Sequence, residues 1–101
     1  MFDKAKQMYQ LQKQARELQK ELRDTEIEAK GGHGLVTVVL NGELKVQSIT
    51  IDPSLLDVSK KHELEQALVD SVREGLAQAQ QIHAEKSQEM MKQMGIDIPG
   101  L

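Results

Sequence analysis

The stretch from Gly34 to Pro53, GLVTVVLNGELKVQSITIDP, is the one part of this chain that reads as sheet, and it limits the folds open to the rest. Its two runs of Val, Ile and Thr suit a pleated, half-buried surface. Asn41-Gly42 between them supplies the positive φ angles of a two-residue hairpin turn. The flanks are rich in Gln, Lys, Glu, Leu and Ala, which favour helix. One small sheet cannot bury two long helices, so the chain is expected to need a partner.

At 101 residues the chain is expected to be a single domain over 1–101, near the lower end of what can bury a self-sufficient core. With no Cys there are no disulfides, thiolate nucleophiles or Cys-based zinc sites. The N-terminal MFDKAKQM passes straight into a charged helical pattern without the apolar segment of a signal peptide. No apolar run approaches the roughly 20 residues of a membrane span. These features predict a soluble, cytoplasmic protein. The formal charge of −3 hides an asymmetry: Lys4, Lys6, Lys13, Arg16, Lys20 and Arg23 outnumber Asp3, Glu17 and Glu21 at the N-terminus. Binding to a polyanion follows local potential, so this basic segment is the candidate contact.

A helix is predicted over about 2–23, where Met8, Leu11, Ala15, Leu18 and Leu22 recur at three- and four-residue steps. Lys6, Lys13, Arg16, Lys20 and Arg23 fall opposite that apolar seam and form a basic stripe. From Asp24 the period changes to two: Thr25, Ile27 and Ala29 alternate with Glu26, Glu28 and Lys30. The heptad phase also permits a continuing helix, but the alternation favours an edge strand at about 25–30. Gly31, Gly32 and Gly34 turn the chain into strands at about 35–40 and 43–51, a three-stranded antiparallel meander. Val46 lies out of phase with Ile49 and Ile51, which points to a bulge or a twist.

Asp52-Pro53 ends the sheet, and Ser54 to Leu56 form a short turn. Ser59 is the expected N-cap of a helix over about 59–94, with Gly95 as its stop and a tail over 95–101. Such a helix is about 50 Å long, against about 23 Å for a seven-residue strand, so its far half overhangs the sheet. The fold class is therefore α+β, in the order α-β-β-β-α, with two projecting helices. Leu64, Leu68, Val72, Leu76 and Ala79 make an apolar face on the long helix, and Ala67, Ser71 and Gly75 a ridge of small residues. That ridge packs against the sheet or against a symmetry mate. The expected core or dimer residues are Leu35, Val36, Val38, Leu40, Ile49 and Ile51 from the sheet, with Leu64, Leu68, Val72 and Gly75 from the helix.

This order of a basic amphipathic helix, a GxG-containing turn, LVTVVLNG, ITIDPSLL and a long helix ending in MGIDIPGL resembles the bacterial YbaB/EbfC family of nucleoid-associated proteins. The resemblance spans nearly the whole chain, and its most diagnostic words are Asn41-Gly42, Ile51-Asp52-Pro53-Ser54-Leu55-Leu56 and Pro99-Gly100-Leu101. It implies a homodimer whose helices project as paired arms that bind DNA and influence nucleoid organisation or gene expression.

The stripe suits such a role. Lys6 to Lys20 covers about 21 Å of helix axis, enough to meet several phosphates. Nothing spells a base-reading code, so contact with the duplex backbone and weak sequence preference are expected. With Phe2 and Tyr9 as the only aromatics, stacking on single strands is not the main mode. The competing explanation is a solvated face, since Lys13 with Glu17, Lys20 with Asp24 and Glu17 with Lys20 lie at pair-forming spacings. A second functional class is a protein-interaction adaptor using the Leu seam or Met90, Met91 and Met94. His33, His62 and His83 are scattered, and Asp52 before Pro53 is a turn-former, so no metal, cofactor, small-molecule substrate or enzyme activity is expected.

Overall fold

The computed structural model describes residues 2–93 and 95. The chain runs through α1 (Phe2–Asp24), β1 (Glu26–Gly31), β2 (Val36–Asn41), β3 (Val46–Ile51), two 3-10 turns (Pro53–Leu55 and Val58–Lys60) and α2 (Lys61–Gln93). The architecture is α+β: one antiparallel sheet in the order β1-β2-β3 and two long helices. Gly95, at φ 74°, follows α2 in the left-handed conformation of a helix stop, its N–H bonded to the Lys92 carbonyl at 3.1 Å. Met94 and the tail from 96 to 101, including Pro99-Gly100-Leu101, lie outside the described residues.

The period-two alternation from Thr25 is a strand, and its inward positions are Ile27, Ala29 and Gly31. On β2 the inward set is Val36, Val38 and Leu40, each at most 2% exposed. Burying side chains of this size contributes roughly 1.5–3 kcal/mol apiece. Above them lies α2, whose buried residues are Ala67, Ser71, Gly75 and Ala79. The small-residue ridge thus packs on the sheet. A Cβ on Gly31 would collide with the Ala67 carbonyl and stand 2.9 Å from the Ser71 nitrogen, and one on Gly75 would meet Leu40 Cδ2 at 2.6 Å. Helix and sheet approach this closely because the α2 ridge is small throughout, and Ala29 and Gly31 on β1 are small as well.

The β2–β3 connection departs from the two-residue turn. The Leu44 N–H bonds to the Asn41 carbonyl and the Asn41 N–H to the Lys45 carbonyl, both at 3.0 Å, closing a three-residue loop. Strand β3 therefore begins at Val46, not at Glu43. The positive φ falls on Leu44, at 66°, and on neither Asn41 nor Gly42. Asn41 instead fastens the loop through its side chain, Oδ1 accepting from the N–H groups of Glu43 at 2.9 Å and Lys45 at 3.1 Å. Beyond the loop Leu40 pairs with Val46 and Val39 with Ser48, leaving Gln47 as the extra residue of a bulge. The bulge, one of the two explanations the odd phase of Val46 left open, returns that residue to the face of Ile49 and Ile51.

Two of the positions expected to serve the core or a dimer contact are not core in the single chain. Ile49 is 50% exposed although it pairs with buried Val38, because α2 lies across β1 and β2 and not over β3. Val72 is 36% exposed, since the turn of α2 that meets the sheet is the Ala67–Ala79 ridge. Leu35, Ile51, Leu64 and Leu68 are partly buried against the core, to which Leu55 adds a side chain from the first 3-10 turn. The expected N-cap also moves: Asp57, not Ser59, caps the approach to α2, accepting the Ser59 N–H at 2.9 Å at the head of a 3-10 turn.

Candidate nucleic-acid interface

α1 leaves the sheet at a tight joint. The Gly42 N–H donates to the Leu22 carbonyl at 2.7 Å and to the Thr25 carbonyl at 3.2 Å, using a helix-end acceptor that has no partner within the helix. Leu22 is buried at this joint and Leu18 half-buried, whereas Leu11 and Met8 are 43% and 62% exposed. The apolar seam is thus covered only at its C-terminal end. The far half of α2 runs beside α1 in the opposite direction. Lys86 Nζ meets Glu21 Oε2 at 3.2 Å, and Gln14 and Leu18 share a narrow groove with Glu89, Met90 and Gln93. The helices together form an arm that extends the molecule to 68 Å in a body only 27 by 14 Å across.

All five stripe residues, Lys6, Lys13, Arg16, Lys20 and Arg23, are exposed on this arm, along the side of α1 opposite its seam. Among the described residues the pairs Lys13–Glu17, Glu17–Lys20 and Lys20–Asp24 do not form. The ion pairs present are instead Lys86–Glu21, Lys30–Glu28 and Arg23–Glu43, the last at 3.3 Å between Nε and Oε1. Arg16 uses its Nε on the Gln12 carbonyl at 3.4 Å. Lys20 edges an open cleft shared with Glu17, Glu21, Asp24, Thr25 and Lys86. The stripe is one continuous surface, but its surroundings change along its length. The Arg23–Glu43 pair, twenty residues apart in sequence, could not be read from helical spacing.

The other polar sites fall elsewhere. His33, at φ 58° in the β1–β2 turn, and His62 border a cavity of about 490 Å³ with Glu63, Gln66 and Asp70 over a floor of Leu35, Leu55 and Ala67. Sequence separation gave no sign of that juxtaposition. His83 lies on α2, and among the described residues no three His, Asp or Glu side chains group to hold a metal ion. Asp52 is the turn-former its place before Pro53 predicts. Its Oδ1 accepts the Ser54 N–H at 2.9 Å, which with a second bond from the Ser54 side chain holds its carboxyl below the ordinary 3.8. Asp57 is lowered in the same way by the N–H and hydroxyl of Ser59. No helix among the described residues is long and apolar enough to cross a membrane.

Comparison with known proteins places this geometry. The model of the YbaB/EbfC DNA-binding family matches residues 1–94. A nucleoid-associated protein of Afipia carboxidovorans is 35% identical over 98 residues, covering 95% of this chain and 90% of its own length. One from Alkaliphilus metalliredigens is 33% identical over 102 residues, covering 100% and 87%. The crystal structure of the uncharacterized protein HP0035 from Helicobacter pylori superposes with a TM-score of 0.79 over 86% of this chain and 91% of that one, at 23% identity, and so shares the fold. A basic helix, a bulged meander and a long overhanging helix in one chain, matched along almost their whole length, make this protein a member of the YbaB/EbfC DNA-binding family.

Proposed function

We propose that this protein acts as a homodimer that binds double-stranded DNA in the cytoplasmic nucleoid and influences nucleoid organisation and gene expression. The observation that carries the reading is the exposed stripe from Lys6 to Arg23 on a projecting helix of a chain in a DNA-binding family. Lysine and arginine head groups on one helix face reach phosphates along a groove edge, and neither the stripe nor its Gln neighbours form a pattern that reads bases. Binding is therefore backbone-directed, with weak sequence preference. A small-molecule substrate, a cofactor and an enzymatic role have no place in this reading.

The second copy is supported by what α2 leaves uncovered. Val46 and Ile49, on the core side of β3, are 54% and 50% exposed, and α2 exposes Val72 and Leu76. The free edge of β3, VQSITI, carries no charge, whereas the opposite edge, β1, carries Glu26, Glu28 and Lys30. Charged residues on an edge discourage pairing with another chain, and an uncharged apolar edge invites it. A second copy offers the same surface to itself, as a two-fold contact requires.

The test is a mobility-shift titration on unrelated duplexes at several salt concentrations. Log affinity is expected to fall linearly with log salt and to vary little with sequence. A variant with Lys13, Arg16, Lys20 and Arg23 neutralised together, still folded, is expected to bind more weakly with a flatter slope. Wild-type affinity and slope in that variant would refute the assignment.

A further inference from the structure

The five cations of the stripe do not stand in equivalent surroundings. Up to Gln14, α1 carries Lys4, Lys6 and Lys13 against one acid, Asp3. From Arg16 to Asp24 three cations meet three acids, Glu17, Glu21 and Asp24. The fold adds a fourth acid to that inner half, because the β2–β3 loop sets Glu43 against Arg23 at 3.3 Å. Glu21 is offset by Lys86 of α2, while Glu17 and Asp24 line the same cleft as Lys20 with no ion-pair partner among the described residues. Glu89 of α2 borders the groove that Gln14, Glu17, Leu18 and Glu21 line, and so adds another acid beside the inner half of α1. Positive charge on α1 is thus concentrated toward its N-terminal half, while a polyanion reaching the joint meets unpaired carboxylates.

Building on the DNA reading above, we infer that the phosphate grip lies in the outer half of α1, on Lys6 and Lys13, with Arg16 at its inner limit. Arg23 is a positioning residue. Its Nε lies 3.3 Å from Glu43 Oε1, a charge contact without a hydrogen bond, between the last turn of α1 and the loop whose Gly42 amide already holds the Leu22 carbonyl, and the pair helps to orient the arm where it leaves the sheet. Lys20, among Glu17, Glu21 and Asp24, balances charge at the joint. The outer grip spans ten residues from Lys6 to Arg16, about 15 Å of axis, which matches four or five phosphate spacings along one strand.

Two paired variants separate the halves, both checked for helix content and for mass by light scattering. K6Q/K13Q removes two cations from the grip of each chain and is expected to weaken binding roughly tenfold or more at low salt. It should also reduce the salt slope by about one for each phosphate that is no longer neutralised. K20Q/R23Q is expected to keep the wild-type slope. The exchange R23E/E43R restores the ion pair in reverse and is expected to bind as wild type, whereas a direct phosphate partner at Arg23 would make it bind far more weakly. A flattened slope in K20Q/R23Q equal to or greater than that in K6Q/K13Q would overturn the inference and leave the DNA reading standing. An unchanged slope in both pairs would overturn both.

Discussion

The backbone amide of Gly42 donates to the carbonyl of Leu22 at 2.7 Å, joining the β2–β3 loop to the last turn of α1. A hairpin residue thereby satisfies a helix end at the joint from which the arm that carries the basic stripe projects. A Cβ at position 42 would stand 2.7 Å from the Leu22 oxygen and 3.0 Å from its Cα, so the glycine is required by proximity and not by its φ.

Gly42→Ala is accordingly expected to destabilise the protein by about 1–3 kcal/mol, the usual cost of overpacking where the neighbour is backbone. Gly31→Ala should cost at least as much, since its Cβ would press on the Ala67 carbonyl and Ser71 nitrogen of α2. Gly34→Ala is the control. Its Cβ meets nothing within 4 Å, so the only cost is that of φ 87°, about 1 kcal/mol. Urea denaturation at one protein concentration ranks the three.

Leu44 sits in the left-handed region, at φ 66°, and is 49% exposed. Leucine is strained in that conformation, and asparagine tolerates it better, against the loss of the half of the leucine side chain that is covered. Leu44→Asn is expected to stabilise the fold by up to about 1 kcal/mol, read as a Tm several degrees higher.

Ile49→Asp places a charge on the uncovered core side of β3. In a single chain the substitution costs about 1–2 kcal/mol, from the buried half of the side chain and the poor strand propensity of Asp. In a dimer formed through that face it buries an unpaired carboxylate. Light scattering over a dilution series is expected to give a two-chain mass for wild type and a one-chain mass for the variant, with unchanged helix content. A stable wild-type monomer at every concentration would contradict the dimer.

The carboxyls of Asp52 and Asp57 are both held below 3.8 by the N–H and hydroxyl groups of Ser54 and Ser59. A lowered folded-state pKa means that the unfolded chain takes up protons first. The stabilisation is present above the unfolded value, near 3.8, and is lost as pH falls through the folded value. Asn at both positions keeps an oxygen acceptor and removes the titration. The double variant D52N/D57N is expected to lose less stability than wild type between about pH 5 and pH 3, measured by thermal melts.

Local chemistry in the sequence determined most of the elements. The alternation of Thr25, Ile27 and Ala29 specified β1, the phase of Val46 against Ile49 pointed to a bulge or a twist in β3, and Asp52-Pro53 marked the end of the sheet. These follow from periodicity and backbone preference, which act over a few residues. The stripe was legible for the same reason, since helical spacing alone sets which cations share a face.

What spacing could not reveal depends on segments distant in sequence meeting in space. Asn41-Gly42 read as a turn with two positive φ angles, but Gly42 is needed for its close approach to Leu22, and the strain moved to Leu44. Ile49 and Val72 read as core or dimer residues, and spacing could not choose between the two; the small residues of α2 drew that helix over β1 and β2 and left both side chains partly exposed in the single chain. Arg23 read as one more cation of the stripe, and nothing in helical spacing showed that the loop would set Glu43 beside it. Sequence pattern decides which way each side chain faces its own element; only the packing of elements decides what it finds there.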